Sequence, residues 1–147
     1  MEFKIKHLTI NDVSVAQQLF IVLQQVFGVE HPYVAEENHV KNLLENPSFV
    51  CFTVLTKNEI VGGLTAYELP MYNSKSLELF IYDIAIKPEF QRMGLGRKLI
   101  AAVKNHGKEN NIVQLFVDAN EVDKHALDFY RSIDGKEDKV VQFTFDR

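Results

Sequence analysis

The chain has 147 residues, 46% of them hydrophobic, which is the size and apolar content of one compact domain with a real core. Its formal charge of −4, from 16 basic and 20 acidic side chains, has the wrong sign for the broad phosphate-neutralising surface of a nucleic-acid binder. No window approaches the roughly eighteen consecutive apolar residues of a membrane helix, and the opening MEFKIKHLTIND alternates where a signal peptide carries an apolar block, so a soluble, cytoplasmic protein with no membrane partner is expected.

Residues 3–8 alternate and predict a first strand, after which Thr9 and Asp12 form a capping-box start to a helix. Val15, Leu19, Phe20, Leu23, Val26 and Phe27 then recur at helical spacing up to Gly28. A second helix is predicted over 35–44, stopped by Pro47. The period then changes to that of strands: 49–56 and 60–69 flank a Lys57-Asn58-Glu59 turn as a hairpin, and Pro70 closes the second strand. Cys51, the single cysteine, excludes an internal disulfide and reads as a small buried hydrophobe in the run FVCF. Residues 77–86, LELFIYDIAI, are apolar on both faces and predict a strand inside the sheet. A helix follows with Leu95, Leu99, Ala102, Val103 and His106 on one side, then a strand at 112–117, a helix at 124–132 and a last strand at 140–145. A strand meander followed by strand-helix-strand is a mixed α/β sheet in a single domain spanning residues 1–147. The five histidines are scattered, with no HExxH or CxxC pairing, so no metal is expected.

Gly94 and Gly96 stand where a strand gives way to a helix, among Arg92, Arg97 and Lys98. Backbone N–H groups at such a junction point at an anion with the positive end of a helix behind them. A P-loop and a dinucleotide fingerprint are both ruled out, since no Gly-Lys-Ser/Thr follows and Leu99 stands where a third glycine is needed.

Residues 81–100, IYDIAIKPEFQRMGLGRKLI, resemble the central motif of the GNAT superfamily of acyl-coenzyme A N-acyltransferases, Gln/Arg-x-x-Gly-x-Gly/Ala after a strand, with Gln91, Gly94 and Gly96 at the matching positions. Residues 126–130, ALDFY, resemble that family's Ala-x-x-x-Tyr motif. The segments 61–70 (VGGLTAYELP), 79–85 (LFIYDIA) and 117–120 (VDAN), with Phe129 and Tyr130, look like the aminoglycoside 3-N-acetyltransferases within it. Asp123 stands where many members carry an asparagine facing the pantetheine, and Asp134 is an extra residue between Tyr130 and Gly135.

The resemblance implies a sheet of about six or seven strands flanked by about four helices, acetyl-coenzyme A as co-substrate, and transfer of its acetyl group to a primary amine of a cationic small molecule. By the same resemblance the coenzyme is held by Ile84, Ala85 and Ile86, by the loop Gln91, Arg92, Met93, Gly94, Leu95, Gly96 and Arg97, and by Asp123 and Ala126. Tyr130 would protonate the departing thiolate. Asp83 is the ionisable group in an otherwise apolar strand and suits a base or cation anchor for the amine. Tyr82, alternating to the opposite face, together with Glu68 and Glu78, completes the expected acceptor site. Aminoglycosides, polyamines and peptide amines all fit these residues, as does a coenzyme A sensor without turnover. Oligomeric state is open, a homodimer being compatible.

Overall fold

In the computed structural model, which describes residues 1–57 and 59–147, a five-stranded mixed sheet runs in the order β1-β2-β3-β4-β5. The strands are β1 (Lys4–His7), β2 (Phe49–Thr56), β3 (Glu59–Pro70), β4 (Leu77–Ile86) and β5 (Ile112–Val117). The first four pair antiparallel, and β5 joins β4 in parallel after a helical crossover. The helices are α1 (Val13–Val26), α2 (Glu37–Glu45), α3 (Leu95–Glu109) and α4 (Lys124–Ser132). Asn58, in the expected hairpin turn, lies outside the described residues.

The two sheet faces carry separate cores. Leu19, Val22 and Leu23 of α1 and Val40 of α2 bury against Phe49, Cys51 and Ala85, while Leu95, Leu99, Ile100 and Val103 of α3 bury against Val50, Phe52, Val54, Leu64, Ala66, Leu79 and Ile81 on the other side. Period-two alternation in β2 and β3 sends neighbouring residues to opposite cores, and the apolar stripes of α1 and α3 meet them.

Two expectations are corrected. The strand predicted over 140–145 does not form: Val140, Val141, Phe143 and Phe145 are solvent-exposed, and the sheet has five strands instead of six or seven. An alternating sequence makes a strand only where an edge receives it. Here α4 ends with Asp134 at φ 67° and the Gly135 N–H on the Tyr130 carbonyl, and the chain beyond pairs with no strand. The second correction concerns β4. Thr65 pairs with Asp83 but Ala66 pairs with Ile81, so Tyr82 is an extra, bulged residue. The bulge resets the alternation, and Tyr82 and Asp83 both come to bear on Tyr67 instead of facing opposite ways.

Entry to α1 is set by a capping box. The Asp12 carboxylate accepts from the Thr9 amide (2.8 Å), the Thr9 hydroxyl (3.2 Å) and the Lys6 ammonium (2.6 Å). Burial alone raises the Asp12 pKa, but the Lys6 and Thr9 hydrogen bonds and the Lys6 charge hold it below the ordinary value. A depressed carboxylate contributes stability that is present above its unfolded pKa and is lost as pH falls through the folded one. Asp12→Asn therefore lowers the urea midpoint at pH 7, and the gap from the parent closes as pH falls below the carboxylate range. Denaturant titrations at the two pH values check this.

Candidate active site

Pairing of β4 with β5 ends at Ile81 and Val117, while β4 continues to Ile86. The strands part there, and a cleft of about 890 Å³ opens between them, floored by β4 and walled by the start of α3, the segment after β5, and α4. The Lys87 N–H donates to the Val61 carbonyl on β3 at 2.8 Å. Because amide directions alternate along a strand, the N–H groups of Ile86 and Ile84 face the open side.

The turn from β4 into α3 forms a second set of free donors. Arg92 (φ 63°) and Gly94 (φ 78°) both take left-handed backbone, with Gly94 at the N-cap of α3. The first helical bond runs from the Lys98 N–H to the Gly94 carbonyl, so the amides of Leu95, Gly96 and Arg97 lack intrahelical partners. Successive amides over left-handed turns make an anion-binding concavity. Nothing within 4 Å would meet a side chain at Gly94, so its role is conformational and leaves that approach open. Gly96 differs: a Cβ there would sit 2.8 Å from the ring of Phe129, so this glycine lets α4 pack against α3. Gln91 anchors the turn through its Nε2 on the Ile86 carbonyl (2.9 Å), and Arg97 ties it to the Ser132 carbonyl at the end of α4 (3.0 Å).

Asp83 opens on the cleft, half-buried. No hydrogen-bond or ion-pair partner satisfies its carboxylate among the described residues, and burial raises its pKa. Beside it Tyr82 lies edge-on to Tyr67 (5.9 Å) and to Phe80 (5.8 Å), and Phe80 in turn stacks on Phe116 (4.9 Å). Burial raises the pKa of the Tyr67 phenol, with its phenol neighbour Tyr82 and then the Asp83 carboxylate disfavouring the phenolate further. Across the cleft Tyr130 is pushed up to about 12 by burial, with the Asp123 charge adding to it. Asp123 caps α4, its Oδ1 accepting from the Ala126 N–H at 3.1 Å.

Of the residues singled out in the sequence, Tyr82, Asp83, Ile84, Ala85, Ile86, Gln91, Arg92, Gly94, Leu95, Gly96, Arg97, Asp123, Ala126 and Tyr130 line this one cleft. Met93 points out from the turn, half-exposed, and does not line it. Glu68 and Glu78 stand elsewhere. Glu68 pairs with Leu79 on the α3 face and its carboxylate meets His106 Nε2 at 2.9 Å; Glu78 sits at the opposite end of β4, about 16 Å along the strand from Asp83. Val26 and Phe27 were missed. Both read as ordinary helix-face residues, although Phe27, beside Gly28 at a helix end, is half-exposed and lines the cleft.

The model of the acetyltransferase (GNAT) family matches residues 16–134. The chain belongs to the GNAT acetyltransferases. The sheet that parts beside an amide-rich turn is this family's fold, and the protein is an acetyltransferase. An aminoglycoside acetyltransferase from an uncultured soil metagenomic sample, solved separately with trehalose and with sisomicin, superposes with a TM-score of 0.94; identity is 38% and 37% in the two structures, over 99% of this chain and 96% of that one. Another aminoglycoside acetyltransferase from an uncultured soil metagenomic sample is 26% identical with a TM-score of 0.92, over 100% and 99% of the two chains. An aminoglycoside N-acetyltransferase solved with CoA shares the fold at 19% identity, with a TM-score of 0.82 over 99% and 95%. No curated protein matches the chain by sequence.

The contact beneath Gly96 is open to direct test. Gly96→Val drives a branched side chain into the Phe129 ring, and overpacking of this kind costs about 1–3 kcal/mol. Thermal unfolding of the variant is expected at a Tm lower by roughly 2–4 °C per kcal/mol.

Proposed function

We propose that the enzyme transfers the acetyl group of acetyl-coenzyme A to a primary amine of an aminoglycoside, the 3-amino group being the one the sequence resemblance implies. The observation that carries this reading is Asp83, a half-buried carboxylate with no partner among the described residues, beside the Tyr82 ring at the cleft. A buried unpaired charge is costly, and a cationic amine offsets that cost on arrival. The relative of 37% identity solved with sisomicin supports an aminoglycoside as that cation.

Acetyl-coenzyme A supplies the activated acyl group and a thiolate leaving group whose thiol has a pKa of about 8.5. The free amides of Leu95, Gly96 and Arg97 and the Arg92 charge suit its pyrophosphate, and the Ile84 and Ile86 amides suit its pantetheine and thioester carbonyl. An alkylammonium with a pKa of about 10.4 is neutral in about one molecule in a thousand at pH 7, so the site must favour loss of a proton. Asp83 holds the ammonium and takes that proton, burial making it a stronger base than an exposed aspartate. Tyr130 stays protonated at neutral pH and hydrogen-bonds the leaving sulfur. Since its pKa lies above that of a thiol, full proton transfer is uphill by roughly 1.4 kcal/mol per unit between them. The sulfur therefore departs hydrogen-bonded to the phenol, as thiolate, and then takes up the second proton, the one the attacking nitrogen sheds as the amide forms, leaving as coenzyme A thiol.

The deciding experiment is a thiol-release assay with acetyl-coenzyme A over aminoglycosides, polyamines and peptides, with the acetylated nitrogen located by NMR. Release that depends on an aminoglycoside is expected. Coenzyme binding without amine-dependent release, or turnover on polyamines alone, overturns the reading.

Asp83→Asn is expected to lower kcat/KM for the amine by about a hundredfold or more, the deficit shrinking as pH approaches the pKa of the amine. The same variant separates chemistry from structure. A carboxyl whose folded pKa is raised costs stability above that pKa, so the asparagine variant should unfold at the same or higher temperature at pH 7. Wild-type kinetics from about pH 6 to about pH 10 would remove Asp83 from the mechanism.

Tyr130→Phe keeps the ring and removes the hydrogen bond to sulfur, for an expected loss of about a hundredfold in kcat with coenzyme affinity unchanged. Single-turnover rates and calorimetric titration with acetyl-coenzyme A measure the two quantities separately.

A further inference from the structure

Three titratable side chains meet on the α3 face of the sheet, outside the cleft. Glu68 of β3 pairs with Nε2 of His106, near the end of α3, at 2.9 Å, and the two side chains are nearly covered, at 14% and 13% exposure. Asn110 Nδ2 donates to the His106 carbonyl (2.7 Å) and stands 3.3 Å from His106 Nδ1. A carboxylate at Nε2 and an amide donor at Nδ1 together fit a ring that carries one proton, on Nε2. His7, the last residue of β1, lies flat on the Phe52 ring (4.6 Å) and edge-on to His106 (5.0 Å). None of these residues lines the cleft, and the acetyl transfer uses none of them.

Few other charges reach this group. β2 and β5 carry no charged residue, β4 turns Leu79 and Ile81 to this face, and Lys104, Lys108 and Glu109 of α3 are exposed. The charges that bear on His7 are His106, Glu68 and Asp12, the last already paired with Lys6. One close carboxylate therefore faces two rings. Two imidazolium rings at 5.0 Å repel, and a proton on His106 Nδ1 would meet the Asn110 amide donor to donor. Burial, then the His106 charge, lower the His7 pKa, while Glu68 and Asp12 offset part of that.

We propose that Glu68, His106 and His7 form an acid-sensitive latch that ties the end of α3 and the edge strand β1 to the middle of the sheet, closed while the two rings carry at most one charge and open when both are charged. The elements it ties are ones that a lost contact can free. β1 is a four-residue edge strand paired with β2 alone, and α3 beyond Val103 fully buries only Gly107. A histidine held below its ordinary pKa in the closed latch takes its proton more readily in the open one. Closure is therefore fully supported above about pH 6.5 and weakens as pH falls through that value toward the lowered one. The helix tied in this way is the one whose first turn offers its free amides to the cleft.

Proton NMR titration of the histidine ring signals in the whole chain tests the charges, His7 being assigned by loss of its signal in His7→Phe. The His7 midpoint is expected below about 6.5 and should rise toward that value in His106→Gln. It should fall further in Glu68→Gln, which keeps an acceptor for Nε2 and removes the counter-charge. Amide exchange tests the latch itself. From about pH 7.5 to about pH 5.5, protection factors over residues 4–7 and 104–109 should fall more than those of β3, and this excess should shrink in His7→Phe, whose ring keeps the stack on Phe52. A His7 midpoint at or above about 6.5, a midpoint that neither neighbour moves, or an equal loss of protection in the parent and His7→Phe would each overturn the proposal.

Discussion

Parallel pairing between β4 and β5 stops at Ile81 and Val117, and the site exists because it stops there. Had β5 continued, the amides of Ile84 and Ile86 would be spent on a ladder and the cleft would be filled by backbone. Ending the ladder early leaves polar groups unpaired at the edge of a core, a cost that a sheet tolerates only where water or a ligand can reach them. The turn after Ile86 adds the free amides at the start of α3 to the same opening. One interruption of a regular sheet thus gathers two sets of donors on one side of a cleft, with Asp83 and Tyr130 also lining it.

The carboxylate and the phenol have pKa values moved the same way by the same cause. Burial raises both, so the tyrosine remains a donor and the aspartate gains basicity. Burial is the larger cause in both, with the Asp123 charge adding to the shift of Tyr130; each follows first from placing a titratable group at the margin of an apolar core. The bulge at Tyr82 is what brings the carboxylate to that margin. Without the extra residue, strict alternation would send Asp83 toward the α3 core, where Leu79 and Ile81 are packed.

The order of elements and most of their bounds are legible in the sequence because hydrophobic period, glycine and proline carry them. Residues 49–56, 77–86, 112–117 and 124–132 read from the pattern match β2, β4, β5 and α4. The glycine motif likewise locates the cleft, although period and spacing do not separate its two glycines. Gly94 answers a backbone demand and Gly96 answers a ring from α4, a contact thirty-odd positions away that no local pattern records. Tyr82 was misplaced because a bulge breaks the period on which the reading depends. Glu68 was misplaced because its face follows from pairing with Leu79, and pairing is a property of two strands. The segment 140–145 has the composition of a strand, yet composition says nothing of whether an edge is at hand.

The parting of β4 and β5 has a consequence for how stability is spread through the molecule. On one side lie β1 to β4 with α1, α2 and α3 packed against both faces; on the other, β5 pairs with β4 over five residues and rests with α4 on α3, through contacts such as Gly96 on Phe129 and Arg97 on the Ser132 carbonyl, and α4 carries no fully buried side chain. The second part is the one expected to open first, at a free energy well below global unfolding, and its amides should exchange soonest. A ligand lying across the cleft touches both parts. It therefore acts as a clasp as well as a reactant: at a hundred times its Kd a bound ligand adds about 2.7 kcal/mol to the closed state. The most loosely held quarter of the chain would then gain order from the molecule it helps to transform.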